Sequence, residues 1–199
     1  IHGLLDLSVQ PNKKTLNIEK IDTLRSLYIV SYKSKTKNLQ TLFSSRNLQQ
    51  LIMVMGNQKS LDGIEKSEKL QILYLYYARS LQDISALEKV KKTLKVLCLN
   101  HCPKIEDYSV LEKMENFQTL MIYGNHKISD IQFISKIKSL KRFRFSVNIL
   151  DGDLSPCLKL EEATSMTNRK HYNLKDEELP KNYDCPFGNE GIEEWMLYW

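Results

Sequence analysis

The chain has 199 residues, of which 42 % are hydrophobic and 27 % are charged, the usual balance of a globular domain with a sizeable core. Its formal net charge is +5, its lysines are scattered among glutamates, and no apolar run approaches the roughly 18 residues of a membrane span. These features argue against a membrane protein. They also disfavour nucleic-acid binding, which needs a dense basic stripe interleaved with aromatic residues.

One spacing of apolar residues recurs along the whole chain. Its clearest copy is Leu94, Leu97 and Leu99, spaced L-x-x-L-x-L, and the same spacing begins again 23 residues later at Phe117. In chain order we place the starts at residues 2, 24, 48, 70, 94, 117, 140 and 163, which are 22 to 24 residues apart. Such a period predicts units that stack on one another to bury a continuous core.

Each copy of the spacing predicts a strand, followed by a second set of apolar residues. In the unit that starts at Leu94, that set is Tyr108, Leu111 and Met114, at intervals of three residues. This second set predicts a buried layer opposite the strands. The predicted strands, in chain order, are LLDLSV, SLYIV, LIMVM, ILYLYY, VLCLN, TLMIY, RFRFSV and ATSMT.

An aspartate recurs just before the second apolar set of three units. Asp83, Asp107 and Asp130 stand in LQDI, IEDY and ISDI. Aspartate in such a place accepts hydrogen bonds from nearby backbone N–H groups. The recurrence therefore predicts turn and capping chemistry rather than a carboxylate site.

These features resemble the leucine-rich repeat, whose pattern is L-x-x-L-x-L-x-x-N/C-x-L. Cys102 fills the Asn/Cys place of its unit, and the stretch ISDIQFISKIKSL resembles the units of internalin-like bacterial proteins. The resemblance implies an α/β fold, a curved leucine-rich-repeat solenoid of about eight repeats. A parallel sheet would form its concave face and short 3₁₀ or irregular turns its convex face.

The repeat spacing stops near Lys170 and divides the chain into two parts. We predict a solenoid over residues 1–170 and a C-terminal capping tail over residues 171–199. The tail ends in the apolar and aromatic run Trp195 to Trp199, which is unfavourable to leave in water. Because the ends of a solenoid need a covering layer, a cap over the last repeat is the favoured interpretation and docking on a partner is the alternative.

The alternation of side chains along each strand predicts which residues face outward. The middle of the predicted sheet surface is apolar and aromatic, and its C-terminal end carries three arginines. An exposed patch of this kind marks an interaction site, and tyrosine and arginine are enriched at interface hot spots. The predicted partner-binding residues are Tyr28, Ile52, Val54, Tyr74, Tyr76, Met121, Tyr123, Arg142, Arg144 and Arg169.

Motifs for catalysis or metal binding are lacking in the sequence. There is no Gly-rich phosphate loop, no G-x-S-x-G and no H-E-x-x-H, and His101 and His126 are interpreted as turn residues. A zinc site at Cys98, His101 and Cys102 is disfavoured because no second pair of ligands accompanies them. We therefore predict no enzyme activity, no cofactor and no metal. The cysteine usage predicts a reducing compartment and a cytoplasmic location.

The resemblance implies a non-catalytic module that binds a protein partner with its concave sheet, for example a bacterial inhibitor or immunity protein that masks a toxin or effector. The alternatives are a surface adhesin or adaptor, and a weak binder of RNA or acidic ligands through Arg142, Arg144 and Arg169. The chain would be a monomer or a dimer paired through strand edges.

Overall fold

The computed structural model describes residues 6–9 (backbone only), 24–42 and 46–182. Eight strands form one sheet in the order β1-β2-β3-β4-β5-β6-β8-β10, in which every neighbouring pair is parallel. Two short strands, β7 and β9, pair separately. The strands are β1 (Asp6–Val9), β2 (Ser26–Val30), β3 (Gln50–Val54), β4 (Ile72–Tyr76), β5 (Val96–Asn100), β6 (Thr119–Tyr123), β7 (Lys127–Ile128), β8 (Arg142–Phe145), β9 (Asn148–Ile149) and β10 (Glu162–Ser165).

Short 3₁₀ turns form the layer opposite the sheet, and the described part of the chain contains no α-helix. No helix within that part is long and apolar enough to cross a membrane. The predicted solenoid, with a parallel sheet on one face and 3₁₀ turns on the other, is confirmed. The turns are Ile64–Lys66, Ser85–Val90, Ser109–Lys113, Gln132–Lys136, Ser155–Lys159 and Asp176–Glu178.

The leucines of the repeat spacing form the core between these two layers. Leu94, Leu97 and Leu99 are fully buried, as are Leu111 from the facing turn and Phe117 at the next start. Consecutive units supply the same places, so one apolar cluster runs from Leu24 to Leu179. No unit could bury these side chains alone, which is why stability comes from stacking.

The recurring aspartates begin the 3₁₀ turns. The side-chain oxygen Oδ1 of Asp83 accepts a hydrogen bond from the backbone N–H of Ser85 at 2.8 Å, and Asp107 accepts one from Ser109 at 2.8 Å. Asp130 accepts one at 2.9 Å in the same way. Capping chemistry, rather than a carboxylate site, is therefore confirmed as the role of these residues.

The last copy of the spacing lies three residues earlier than predicted. Ala163 pairs with Phe143, and Glu162 pairs with Arg142. The final unit therefore starts at Leu160 rather than at residue 163. Its inward places hold the small Ala163 and the polar Ser165, so the pattern of large apolar residues fades where the solenoid ends.

The first copy also lies at a different place, two residues later than predicted. Leu7 pairs with Leu27, whereas the predicted start at His2 would have placed Leu5 there. The register of β1 is therefore shifted by two residues from the prediction.

A segment after the last strand covers the free edge of β10. The backbone N–H of Ala163 donates to the carbonyl of Pro180 at 2.8 Å, and the N–H of Ser165 donates to Asp176 Oδ1 at 2.7 Å. Leu179 is 3 % exposed and packs in the core. The remainder of the predicted tail, including Trp195 to Trp199, lies outside the described residues.

Candidate functional site

The outward residues of the sheet stand side by side across the strands. Tyr28 lies beside Ile52, Ile52 beside Tyr74, and Cys98 and Met121 follow in order. Arg144 and Thr164 continue this row at the C-terminal end. The predicted outward residues thus form one row from Tyr28 to Arg144, in which neighbouring residues are about 4.8 Å apart at the backbone.

Three tyrosines form the centre of this face, and we call Tyr74, Tyr76 and Tyr123 the tyrosine cluster. The rings of Tyr74 and Tyr76 meet edge to face with centroids 6.3 Å apart. Tyr74 and Tyr123 pack against a small apolar group on the same face, made of Val96, Cys98 and Met121. All three tyrosines remain half-buried, so part of each ring is available to a partner.

Met121 was predicted to be exposed and is buried instead. It faces the predicted side, but only 2 % of its surface is accessible, as for Cys98. The reason is the close spacing of parallel strands, which lets the long side chains of Tyr74 and Tyr123 cover the shorter ones between them. Met121 therefore supports the tyrosine cluster from below rather than contacting a partner directly.

Burial also determines the ionisation of the cluster. Desolvation raises the pKa of Tyr74 to about 12, and it raises the pKa values of Tyr76 and Tyr123 well above the usual range. Burial likewise raises the pKa of the Cys98 thiol. At neutral pH these hydroxyl groups are uncharged and can donate hydrogen bonds.

Tyr28, Ile52 and Val54 lie where they were predicted, on β2 and β3 of the same face. All three are half-buried. They extend the uncharged surface from the tyrosine cluster toward the N-terminal strands. Ile52 lies beside Tyr74 and Val54 beside Tyr76 on the neighbouring strand.

The C-terminal end of the face holds an ionic group of Arg142, Arg144 and Glu162. Arg144 places Nε at 2.8 Å and Nη2 at 2.7 Å from Glu162 Oε1. Arg142 Nε lies 3.6 Å from Glu162 Oε2. Two guanidinium groups therefore share one carboxylate. Glu162 was not predicted as a site residue, because the wrong start of the last repeat removed it from the outward set.

The structure differs from the predicted arginine patch in two further ways. Arg142 is only 6 % exposed, since it lies against Glu162 rather than extending into solvent. Arg169 was predicted to face outward on the last strand, but the shifted register places it four residues beyond the end of β10. Only Arg144 among the three arginines combines a place on the sheet with substantial exposure, 27 % of its side chain.

A row of left-handed residues follows the strands and was not predicted. In four consecutive units, the residue seven places after the start of the unit has a positive φ. Gly124 takes the same place in the fifth unit, with φ 133°. That glycine was the only signal in the sequence, because other residues rarely adopt positive φ. We call these four residues the rim row: Ser31 (φ 56°), Met55 (58°), Tyr77 (54°) and His101 (55°).

The rim row places large side chains beside the sheet face. Met55 is 56 % and Tyr77 is 38 % exposed. The Tyr77 ring stacks on His101 with centroids 4.8 Å apart, and the Arg79 guanidinium lies 6.0 Å from the centre of the same ring. This edge adds apolar and aromatic area next to Tyr76.

The histidines do not form an acid–base site. Burial lowers the pKa of His126, and the nearby His101 lowers it further. His101 instead stacks on Tyr77 and hydrogen-bonds Asn100. Within residues 24–42 and 46–182, no group of three His, Cys, Asp or Glu residues could hold a metal ion.

Comparison with known proteins identifies the fold. No protein-family model and no curated protein matches the chain. An internalin (inlF) from Listeria monocytogenes superposes with a TM-score of 0.51 and 17 % identity, covering 83 % of this chain and 62 % of that protein. An internalin C2 (inlC2) of the same organism has a TM-score of 0.46 and 17 % identity over 73 % of this chain and 71 % of its own. This chain thus spans less than two thirds of the first internalin, and it has the internalin-like leucine-rich-repeat fold.

Proposed function

We propose that this protein is a non-catalytic module that binds a protein partner with the strand face of its solenoid. One observation carries the proposal, the tyrosine cluster at the centre of the face. The rings of Tyr74 and Tyr123 pack on the apolar group of Val96, Cys98 and Met121, the Tyr76 ring meets Tyr74 edge to face, and all three rings remain half-buried. Ordered aromatic side chains give a partner large contact area at little further cost in conformational entropy.

The size and polarity of the surface support a folded partner or a long peptide. Eight parallel strands span roughly 34 Å, taken as seven spacings of about 4.8 Å. The face is uncharged from β2 to β6. A surface that buries tyrosine against a partner, without charges to desolvate, suits a protein interface.

The test is retention of a partner by the purified chain as bait. The Tyr74→Ala/Tyr123→Ala variant removes the centre of the cluster, and we expect it to weaken binding by one to several kcal/mol, as loss of a central anchor does. The matched control is Leu150→Ala/Leu158→Ala. It removes two apolar side chains that are 53 % and 50 % exposed and belong to segments outside the main sheet, and it should leave binding unchanged.

Equal binding by wild type and the tyrosine variant, within a few tenths of a kcal/mol, would contradict the proposal. Circular dichroism and urea unfolding of both variants separate a loss of contacts from a loss of fold.

The identity of the partner would decide among narrower roles. A cytoplasmic inhibitor that masks a toxin, an adaptor and an adhesin would all use the same face. We favour a reducing compartment, supported by the free and buried thiols of Cys98, Cys102 and Cys157. Inhibition of the retained partner's own activity would support the inhibitor role.

A further inference from the structure

From β2 to β10 the strand face is uncharged except at its C-terminal end. The outward residues of β2, β3, β4, β5 and β6 carry no charge, and the outward charges on β8 and β10 are Arg142, Arg144 and Glu162. Their sum is one positive charge. This charge adjoins the tyrosine cluster, since Arg144 lies beside Met121 on the neighbouring strand, and Tyr74 and Tyr123 pack against the apolar group that contains Met121.

Glu162 cannot neutralise both arginines. Its Oε1 takes two contacts from Arg144, at 2.7 and 2.8 Å, while the nearest contact from Arg142 is 3.6 Å long. Among the described residues, neither Arg142 Nε nor Glu162 Oε2 has a hydrogen-bond partner. The Arg142 side chain is 8 % exposed and that of Glu162 is 5 % exposed, so the imbalance lies mostly out of water.

A partner that covers the tyrosine cluster would also cover Arg144. The group of two arginines and one glutamate would lose its remaining water, and burial of the one positive charge that Glu162 does not offset is strongly unfavourable. The cost disappears if the partner supplies a negative group at this point. A carboxylate is the group in proteins that matches a guanidinium in charge and in geometry.

Resting on the proposed function, we propose that the partner presents an Asp or Glu carboxylate to Arg144 and Arg142, next to apolar residues that contact the tyrosine cluster. The occupant is thus an acidic-and-apolar protein segment. Arg144 binds the carboxylate, and Glu162 holds Arg144 in place. Glu162 also limits the positive charge of the face when no partner is bound.

The probe is a library of short random peptides displayed on phage and selected on the immobilised protein. We expect Asp or Glu to be enriched at one position beside apolar or aromatic residues. In the best peptide, replacement of that acid by its amide should weaken binding about tenfold or more, as loss of a buried charge partner does. Enriched peptides that lack an acid, or a library that yields no binders, would overturn the proposal.

Substitution of Glu162 should strengthen binding of the acidic peptide rather than weaken it, and it therefore tests the charge balance directly. Glu162→Gln leaves two arginines without a competing carboxylate, and we expect the acidic peptide to bind several-fold more tightly. The matched control is Glu112→Gln, which makes the same charge change in a 3₁₀ turn, where Glu112 pairs with Lys136 at 2.9 Å. It should leave affinity within about twofold, because exposed distant charges are screened by salt.

Three results would overturn the inference. Equal tightening by both glutamate variants would indicate long-range attraction rather than a site. Unchanged or weaker binding by Glu162→Gln would mean that Glu162 does not compete for the arginines. A short single-stranded RNA that binds more tightly than any peptide, with affinity that falls steeply with salt, would assign the arginines to a polyanion. If Glu162→Gln does not fold, the acid-to-amide change in the peptide still tests the carboxylate inference, because it is measured with the wild-type protein.

Failure here is distinguishable from failure of the proposed function. Peptides that need the tyrosine cluster but contain no acid overturn the carboxylate inference alone. Peptides whose affinity is unchanged by Tyr74→Ala/Tyr123→Ala count against the strand face as the binding surface.

Discussion

The residue that directly follows each of the strands β2, β3, β4 and β5 has a left-handed backbone conformation. Ser31, Met55, Tyr77 and His101 all adopt this conformation although glycine would do so at less cost. A residue with a Cβ loses about 1–2 kcal/mol in the left-handed region. Strain of this kind is found where a side chain has a function, and Met55 and Tyr77 lie exposed beside the tyrosine cluster.

Glycine at such a place should stabilise the fold. We expect Met55→Gly to raise the free energy of unfolding by about 0.5–1 kcal/mol, because relief of the left-handed strain exceeds the added entropy of the unfolded chain. The Met55→Ala control keeps the strain and should change stability by less than about 0.5 kcal/mol. Urea unfolding measures both. A destabilised Met55→Gly would show that the Met55 side chain contributes to folding.

For single residues, the sequence predicted the face of the sheet on which a side chain lies better than it predicted the exposure of that side chain to solvent. Met121 and Arg142 face the predicted side but are covered by neighbours on adjacent strands. Alternation along one strand predicts direction, whereas coverage depends on side-chain lengths across about 4.8 Å gaps. The left-handed residues of the rim row were not predictable, since only Gly124 carries a signal for positive φ.

Four of the 3₁₀ turns are capped by an aspartate, which accepts a hydrogen bond from a backbone N–H at the start of the turn. Hydrogen bonds from the hydroxyl and the backbone N–H of Ser109 lower the pKa of Asp107. The folded pKa is below the unfolded value, so the ionised carboxylate stabilises the fold above the unfolded pKa. That stabilisation is lost as the pH falls through the folded pKa.

The Asp107 pair of variants separates the hydrogen bond from the charge. Asp107→Ala should cost about 1 kcal/mol at neutral pH, as loss of a capping side chain does. Asp107→Asn keeps an oxygen acceptor without the titration, so its deficit relative to wild type should shrink between neutral pH and about pH 3. Urea unfolding at both pH values measures this. A deficit that does not vary with pH would rule out the carboxylate charge as the cause.

Elements in the middle of the chain were predictable and those at the ends were less so. From β2 to β6, each strand begins two residues after the predicted start of its unit. The last unit was placed wrongly because its inward residues, Ala163 and Ser165, are small or polar. That error removed Glu162, the ionic partner of Arg144, from the predicted outward residues. The first unit was placed wrongly because the stretch LLDLSV fits the repeat spacing from either of two starts.

The whole molecule is a stack in which each unit contacts its neighbours, so its ends determine how it opens. Tyr172 hydrogen-bonds the N–H of Ile149 at 3.1 Å and the carbonyl of Val147 at 3.0 Å, and Leu179 enters the core beside them. A segment bound in this way seals the last repeat against water. Local opening in such a stack should begin at an end.

Loss of the Leu179 side chain should open the C-terminal end selectively. We expect Leu179→Ala to destabilise the protein by about 2–3 kcal/mol, through lost burial and a cavity. Amide hydrogen exchange should become faster in β8 and β10, with a much smaller change in β4 and β5. Uniform acceleration over all strands would indicate that the molecule unfolds as one cooperative unit instead.

Photo-crosslinking would show directly whether the partner lies on the strand face, over the tyrosine cluster. Benzoylphenylalanine is introduced at position 74 or at position 158, and mass spectrometry identifies the adducts formed with the retained partner. We expect a covalent adduct from position 74 and none from position 158, which belongs to a 3₁₀ turn and is exposed. An adduct from position 158 alone would instead place the partner on the turn face and rule out the strand face as the binding surface.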